Sequence, residues 1–154
     1  MDRPSWVSGD VDLEHPSAAR VYDYYLGGSH NFAVDRRMAR RAIELWPELP
    51  LIMQANRAFL RRSVRYLVRQ GITQFLDIGS GIPTEGNVHE VAQAVSPEVR
   101  VVYVDLDPVA VAHSRAMLSG NQRADIVQAD LRDVAAILDD PERFTGYATV
   151  GRRG

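Results

Sequence analysis

The sequence predicts an α/β fold in which helices precede a parallel sheet, and three observations support this prediction. Residues 74–84 read QFLDIGSGIPT, a short apolar run that stops at two glycines, and a helical pattern begins again at about Asn87. Two further apolar runs, at residues 100–105 and around 126–127, each follow a helical pattern. Strands that alternate with helices in this way are typical of parallel sheets with helical connections.

The composition excludes several classes of function. With 154 residues, of which 45% are hydrophobic and 25% charged, the chain is expected to form one soluble globular domain. It contains no cysteine, and all 18 of its basic residues are arginine. A cysteine nucleophile, a thiolate zinc site, a Schiff-base lysine and a Walker-type lysine are therefore excluded. The formal net charge of −2 gives no reason to expect a nucleic acid partner.

The N-terminal segment carries no signal for export. Residues 1–15 are acidic and lack an apolar stretch, and no apolar run in the chain is long enough to cross a membrane. We therefore expect a cytoplasmic protein with no membrane partner, in which residues 1–16 are flexible.

A cap of three helices is predicted over residues 17–71, ahead of the sheet. The helical patterns cover residues 18–26, 36–46 and about 51–70. Ser17 and Asp35 are expected to cap the first two helices, and Gly71 is expected to end the third.

The third helix carries a stripe of arginines at intervals of four residues, formed by Arg57, Arg61, Arg65 and Arg69, with Arg62 alongside. Such a stripe can follow the phosphates of a nucleic acid. Since no aromatic residues are interleaved with it and the net charge is negative, we interpret it as a solvated helix face paired with acidic neighbours.

The sheet unit is predicted over residues 72–143, and residues 144–154 show no clear pattern. Phe75, Leu76 and Ile78 indicate a first strand that is buried on both faces. The following pattern predicts a helix over 87–94, a strand over 100–105, a helix from Asp107 to about Gly120, a strand around 126–127 and a short helix over 134–138. Asp107 before a proline is a typical helix start.

Glycines and acidic residues lie just past the predicted strand ends. Gly79 and Gly81 follow the first strand. Asp105 ends the second strand, and Asp130 follows the third. The carboxyl ends of parallel strands meet at one edge of the sheet, where ligands bind. A carboxylate at the end of the second strand, as Asp105 is, can accept hydrogen bonds from both hydroxyls of a ribose. A carboxylate after the third strand, as Asp130 is, can accept one from an amine such as adenine N6. The pattern therefore predicts a ligand that contains adenosine.

Each of these residues also has a purely structural interpretation. A glycine pair after a strand can be only a tight turn, Asp130 could cap the helix that follows it, and Asp107 is better explained as a helix cap. Asp77 lies inside the first strand, so its carboxylate must either bond to loop amides or point towards a ligand. The joint spacing favours the ligand interpretation.

The glycine loop favours S-adenosylmethionine over a dinucleotide. The dinucleotide fingerprint has three glycines followed directly by a helix, whereas Thr84 stands at the third position here and the loop continues to about Asn87. S-adenosylmethionine carries no phosphate and does not need the helix N-terminus. An NAD-binding oxidoreductase is the alternative, disfavoured by the missing glycine.

The same stretches resemble a known family. Residues 75–84 and 101–108 resemble the first and second motifs of class I S-adenosylmethionine-dependent methyltransferases. The chain also resembles, more narrowly, an actinobacterial S-adenosyl methyltransferase family that was formerly a domain of unknown function. This resemblance lies in residues 19–28, 31–32, 35–36 and 87–93. The resemblance covers about residues 16–140. It implies a Rossmann-like parallel sheet, S-adenosylmethionine as cofactor, no metal, and methyl transfer to an acceptor that the sequence does not identify.

The resemblance also implies where the polar part of the cofactor lies. Asp77, Gly79 and Gly81 would lie along its methionine and ribose, and Asp105 would hold the ribose hydroxyls.

The adenine and the covering wall are implied in the same way. Leu106 would lie beside the adenine and Asp130 near its amine. The N-terminal helices would cover the cofactor, with Tyr22, Asp23 and Asn31 as candidates for the inner wall. No catalytic residue is implied, and His89 in the first turns of its helix is better explained by packing or capping than as a general base.

The chain departs from the family after about residue 140. A class I sheet normally continues through further strands, and the residues after the fourth strand usually face the acceptor. Residues 144–154 do not resemble that continuation, so we expect a truncated family member with an open three-stranded sheet and an uncovered apolar face. Such a chain could pair with itself or with a partner chain, and a non-catalytic binding or assembly module is the second alternative.

Overall fold

The computed structural model describes residues 11–138. In chain order its elements are α1 (Ala18–Tyr25), α2 (Ala33–Leu45), α3 (Leu49–Arg69), β1 (Gln74–Ile78), α4 (Val88–Gln93), β2 (Arg100–Asp105), α5 (Pro108–Met117), β3 (Ala124–Gln128) and α6 (Val134–Leu138). Every helix and strand predicted from the sequence is present. The predicted flexible N-terminus is described only from residue 11, and the predicted tail over 144–154 lies outside the described residues.

The three strands form a parallel sheet in the order β1-β2-β3. Leu76 of β1 pairs with Val102 of β2, which pairs in turn with Asp125 of β3. The parallel direction brings the carboxyl ends of all three strands to the same edge. The α/β fold class with a helical N-terminal cap is therefore confirmed.

The main core lies between one face of the sheet and helices α3, α4 and α5. The strands contribute Val101, Tyr103 and Ile126. The helices contribute Val64, Val68, Val88, Val91, Ala92, Val111 and Leu118. β-Branched side chains are frequent on both sides, which suits close packing on a pleated surface.

The opposite face of the sheet is covered only in part by residues 11–138. Ile137 of α6 packs under β2 and β3 on this side. Leu76 and Ile78 of β1 are 41% and 48% exposed, whereas Phe75 packs against the main core. The prediction that β1 is buried on both faces is wrong for the described chain, because helices cover only one of its faces.

Two of the predicted helix caps are wrong. Ser17 lies at the N-cap position of α1 but makes no capping hydrogen bond, since its hydroxyl donates to Asp107 instead. Phe32 occupies the N-cap position of α2, so Asp35 lies at the third helical position. The Asp35 carboxylate accepts hydrogen bonds from the N–H groups of Phe32 at 2.8 Å and Ser17 at 2.9 Å. The Ser17 side chain thus joins two elements, and the Asp35 carboxylate both closes the start of α2 and joins it to the residue before α1.

The predicted start of α5 is confirmed. Asp107 is the N-cap, and its Oδ1 accepts hydrogen bonds from the backbone of Val109 and Ala110 at 2.8 and 3.4 Å. Pro108 takes the first helical position, where its missing N–H costs no intrahelical bond. α5 therefore begins directly at the edge where the strands end.

Candidate functional site

The loop after β1 turns at two glycines in left-handed conformations. Gly79 and Gly81 have φ angles of +73° and +70°, which residues with a Cβ rarely adopt. A Cβ built on either glycine would meet no non-adjacent residue within 4 Å, so the loop presents bare backbone to open space. The N–H groups of Gly79 and Ser80 donate to the Val104 carbonyl at 2.7 and 3.1 Å, which ties the loop to the end of β2.

Asp105 joins the glycine loop to the start of α5. It is the last residue of β2 and is buried, with 9% of its surface exposed. Its Oδ2 accepts a hydrogen bond from the Gly81 N–H at 2.7 Å, and its Oδ1 accepts one from the Asp107 N–H at 2.9 Å. Because a carboxylate has about four acceptor positions, each oxygen retains capacity for a ligand hydroxyl.

A cavity of about 770 Å³ lies between the strand ends and the N-terminal helices. The predicted site residues that line it are Asp77, Gly79, Gly81, Asp105, Leu106 and Asp130 from the sheet side and Tyr22 from α1. Helix α3 contributes Asn56, Arg57 and Leu60. Cavities of this size at the carboxyl ends of parallel strands are common sites for cofactors.

Asn31 and Asp23 do not line this cavity. Asn31 Nδ2 donates to Asp23 Oδ2 at 2.8 Å and to the Gly28 carbonyl at 2.9 Å. The Asp23 carboxylate also accepts from the His30 N–H at 2.9 Å. Both side chains are buried, and their hydrogen bonds hold the turn after α1 together. The structure therefore gives these two residues a role within the N-terminal helices.

Tyr22 connects α1 to α3 at the cavity wall. Its hydroxyl donates to the Met53 carbonyl at 3.4 Å and accepts from Asn56 Nδ2 at 3.2 Å. Tyr22 and Asn56 both line the cavity. Their hydrogen bond therefore fixes the two helices where they face the strand ends.

Asp77 lines the cavity from β1 in a charged environment. Burial raises the pKa of its carboxyl above the ordinary value, the nearby Arg57 charge lowers that pKa, and Asp105 raises it. Burial is the largest of these effects. A cationic group of a ligand placed beside Asp77 would favour the ionised carboxylate.

Asp130 does not cap the helix after β3, so that alternative is wrong. α6 begins at Val134, and Asp133 accepts a hydrogen bond from the Ala136 N–H at 3.0 Å. Asp130 Oδ1 accepts instead from Nε and the N–H of Arg132, both at 2.9 Å. The bonds from the Arg132 side chain and backbone lower the pKa of Asp130 to about 2. An ionised carboxylate therefore stands at this end of the cavity.

A buried ion network joins the N-terminal helices to α5. Arg20 and Asp35 are 2% and 0% exposed, and Arg20 Nε donates to Asp35 Oδ2 at 3.0 Å. Arg20 Nη1 lies 3.6 Å from Asp107 Oδ2, which also accepts from the Ser17 hydroxyl. Asp107 in turn donates its N–H to Asp105. The network thus positions the covering helices relative to the carboxylate at the strand end.

Arg57 is a cavity residue that the sequence analysis missed. Arg62, Arg65 and Arg69 are exposed, as expected for a solvated face. Arg57 is only half-exposed, lines the cavity and has a buried Nε. The regular spacing of the stripe gives its members the same local signal, so only the tertiary position of α3 distinguishes Arg57.

His89 has a packing role. It is 7% exposed, and its N–H and its Nδ1 both lie 2.8 Å from the Tyr103 hydroxyl. Burial lowers the pKa of His89 below its ordinary value. His89 is not among the residues that line the cavity, which agrees with the structural interpretation of this residue.

The described part of the chain has neither a metal-binding cluster nor a membrane-spanning helix. Within residues 11–138, no group of three or more histidines and acidic residues is arranged to hold a metal ion. Over the same residues, no helix has both the length and the apolar character needed to span a membrane.

The fold and the site together define a Rossmann-like cofactor-binding domain, with a glycine loop and acidic strand ends that face a cavity under helices. Residues 4–145 match the protein family described as S-adenosyl methyltransferase, and the chain belongs to that family. The resemblance seen in the sequence motifs is thereby confirmed. No curated protein matches the chain.

Two solved structures are similar over most of the chain. A predicted methyltransferase from Thermobifida fusca YX shares 45% identity and a TM-score of 0.87, over 92% of this chain and 53% of that one. A DUF574 family protein from Streptomyces avermitilis MA-4680 shares 46% identity and a TM-score of 0.81, over 85% and 51%. The chain therefore spans about half the length of each. Neither similarity supports an NAD-binding oxidoreductase.

Proposed function

We propose that this chain binds S-adenosylmethionine in the cavity at the strand ends, and that the whole protein transfers a methyl group from it to an acceptor. The observation that carries the proposal is the carboxylate of Asp105. It is held by Gly81 and Asp107 with acceptor capacity left over, in a chain of the S-adenosyl methyltransferase family.

The residues at the ribose end of the cavity fit this cofactor. Asp105 accepts the two ribose hydroxyls in this proposal, and the lack of side chains at Gly79 and Gly81 leaves room for the sugar and the chain attached to it. Asp77 is the carboxylate nearest in sequence to the glycine loop and faces the methionine part.

The opposite end of the cavity fits the adenine. Leu106 is 59% exposed and offers an apolar surface for the base. Asp130 supplies an ionised acceptor for the exocyclic amine. Tyr22 forms part of the wall contributed by the N-terminal helices.

The charge of the lining favours a cationic ligand. The aspartates that line the cavity outnumber the arginines, and this excess of carboxylates would repel the phosphates of a dinucleotide. The aspartates are Asp12, Asp77, Asp105, Asp107 and Asp130, and the arginines are Arg20 and Arg57. S-adenosylmethionine supplies a methyl carbon made electrophilic by a positive sulfonium. The task of the protein residues is to align that carbon with a nucleophile and to exclude water.

We also propose a cytoplasmic setting, an actinobacterial origin and a small-molecule acceptor. The origin is supported by similarity to proteins of Thermobifida fusca and Streptomyces avermitilis.

The apolar face around Leu76 and Ile78 is uncovered in residues 11–138 and is a candidate surface for self-association.

Thermal unfolding with a panel of ligands tests the proposed function. A ligand that binds only the folded chain raises the unfolding midpoint, and the rise grows with the logarithm of one plus the ratio of its concentration to its Kd. We expect S-adenosylmethionine and S-adenosylhomocysteine to raise the midpoint and NAD to leave it unchanged. Stabilisation by NAD alone would contradict the proposal.

A further inference from the structure

In the part of the chain that the structure describes, two buried polar atoms at the cavity have no hydrogen-bond partner. Among residues 11–138, the buried side-chain nitrogen and oxygen atoms without a hydrogen-bond partner are Arg57 Nε and Ser80 Oγ. Both residues line the same cavity, Arg57 from α3 and Ser80 from between the two glycines of the loop. Buried donors in folded proteins are nearly always paired, so two unpaired atoms in one cavity indicate a missing acceptor.

Within residues 11–138, Arg57 also has no counter-ion in direct contact. In the described part of the chain, no carboxylate oxygen lies within 4 Å of the Arg57 guanidinium, whereas Arg20 and Arg132 both have such partners. Leaving a cation partly desolvated and unpaired is costly. A guanidinium with free donors is best satisfied by a carboxylate or a phosphate, both of which match its planar fork.

The surrounding charges select between these two anions. Arg57 and Asp77 are close enough for each charge to act on the other, and Asp105 and Asp130 face the same cavity. A phosphate would place at least one full negative charge among three carboxylates. An α-amino acid group is a zwitterion, so its carboxylate can meet Arg57 while its ammonium meets Asp77.

We propose that Arg57 and Ser80 bind the α-carboxylate of the amino acid group of the cofactor, and that Asp77 accepts hydrogen bonds from its ammonium. This assignment rests on the proposed function and names the part of the ligand that α3 recognises. It makes Arg57 a specificity-determining residue, which distinguishes an adenosyl amino acid from a nucleoside without that group.

Two probe ligands test the assignment on the full chain by calorimetric titration. S-adenosylhomocysteine carries the amino acid group, and 5′-methylthioadenosine lacks it but keeps the adenosine and the sulfur. We expect Arg57→Met to weaken binding of S-adenosylhomocysteine about ten- to a hundredfold, the effect of a hydrogen bond to a charged group. Binding of 5′-methylthioadenosine should change less than about twofold, since that ligand has no carboxylate for Arg57 to bind.

Three variants serve as controls. Arg65→Met lies on the same helix at an exposed position and should leave both affinities unchanged. Ser80→Ala should weaken S-adenosylhomocysteine alone, by a few-fold. Arg57→Met keeps most of the side-chain packing, so the unfolding midpoint of its ligand-free form should not fall below that of the parent chain. Arg57→Lys keeps the charge and should retain part of the affinity for S-adenosylhomocysteine.

The outcomes separate the assignment from the proposed function. If the parent chain binds both ligands and Arg57→Met changes both affinities equally or changes neither, the assignment is overturned while the adenosine site stands. If the folded parent chain binds neither ligand, the proposed function is overturned, and the assignment with it.

Discussion

Three of the aspartates that line the cavity are predicted site residues, and each has a local environment that determines what it can do. Asp105 is held by two backbone N–H groups, and Asp130 is bonded to Arg132. For Asp77, burial raises the pKa of the carboxyl above its ordinary value. A cationic group bound beside Asp77 would therefore stabilise its ionised form.

The raised pKa of Asp77 predicts a pH dependence of stability. Above about pH 3.8, the unfolded chain releases this proton while the folded chain still binds it. The contribution of Asp77 to the free energy of unfolding therefore falls as pH rises from 3.8 through the folded-state pKa. Asp77→Asn removes this loss, so its stability relative to the parent chain should increase over that range.

Urea unfolding of both chains at several pH values measures this difference. Asp125→Asn, at an exposed position of β3, controls for the loss of one carboxylate. A relative stability of Asp77→Asn that decreases with rising pH would show that Asp77 is stabilised as an anion without ligand.

Alanine substitutions at two glycines should separate the effect of backbone strain on stability from the effect on ligand binding. Gly81 and Gly120 both have φ angles in the left-handed region, +70° and +86°, and a Cβ on either would meet no non-adjacent residue within 4 Å. Replacement by alanine should therefore cost each chain about 1 kcal/mol of stability. Only Gly81 lines the cavity, so only Gly81→Ala should also weaken S-adenosylmethionine binding. Denaturant unfolding and titration measure the two effects, and equal losses of affinity would contradict the location of the site.

At the scale of the elements, the start of α5 is where the sheet, the cavity and the N-terminal helices meet. Asp107 caps α5 through Val109 and accepts from Ser17 in the loop before α1. It also faces Arg20, which is buried with Asp35. Docking of the N-terminal helices therefore depends on the residue that begins α5.

This position predicts a large cost for Asp107→Ala. The variant loses a helix cap, about 1 kcal/mol, and leaves the buried Arg20 with one neighbouring carboxylate, that of Asp35, instead of two. We expect a total loss of about 2–4 kcal/mol in the free energy of unfolding. Asp133→Ala removes only the bond to Ala136 at the exposed start of α6 and should cost about 1 kcal/mol or less. Urea unfolding compares them, and similar losses would contradict a joining role for Asp107.

The elements also show which structural features a single sequence reveals. Asp107 before Pro108 predicts a cap correctly because the signal is local. Ser17 and Asp35 also carry a local capping signal. In the structure, however, the Ser17 hydroxyl donates to Asp107, and the Asp35 carboxylate accepts from the Ser17 N–H in front of α1. Partners that are distant in sequence cannot be read from a capping pattern, and neither can the exposure of Leu76, which depends on what covers β1.

At the scale of the whole molecule, the parallel topology is what assembles the site. Gly79, Asp105 and Asp130 are far apart in sequence, but each lies at or just past the end of a strand, and parallel strands end at one edge. This is why their convergence on one cavity could be predicted from spacing. Arg57 and Asn31 could not be placed in the same way, since the positions of α3 and of the connection between α1 and α2 follow from packing with no periodic signal.

The central claim is that a chain spanning about half of its solved relatives contains the S-adenosylmethionine site. Calorimetric titration of the parent chain, Asp105→Ala and Glu98→Ala tests it most directly; Glu98 is exposed and lies outside the cavity lining. We predict that the parent chain and Glu98→Ala bind S-adenosylmethionine equally. Asp105→Ala, checked for folding by circular dichroism, should bind it more weakly by about 1–3 kcal/mol. Equal binding by Asp105→Ala, or a folded parent chain that binds NAD and not S-adenosylmethionine, would contradict the claim.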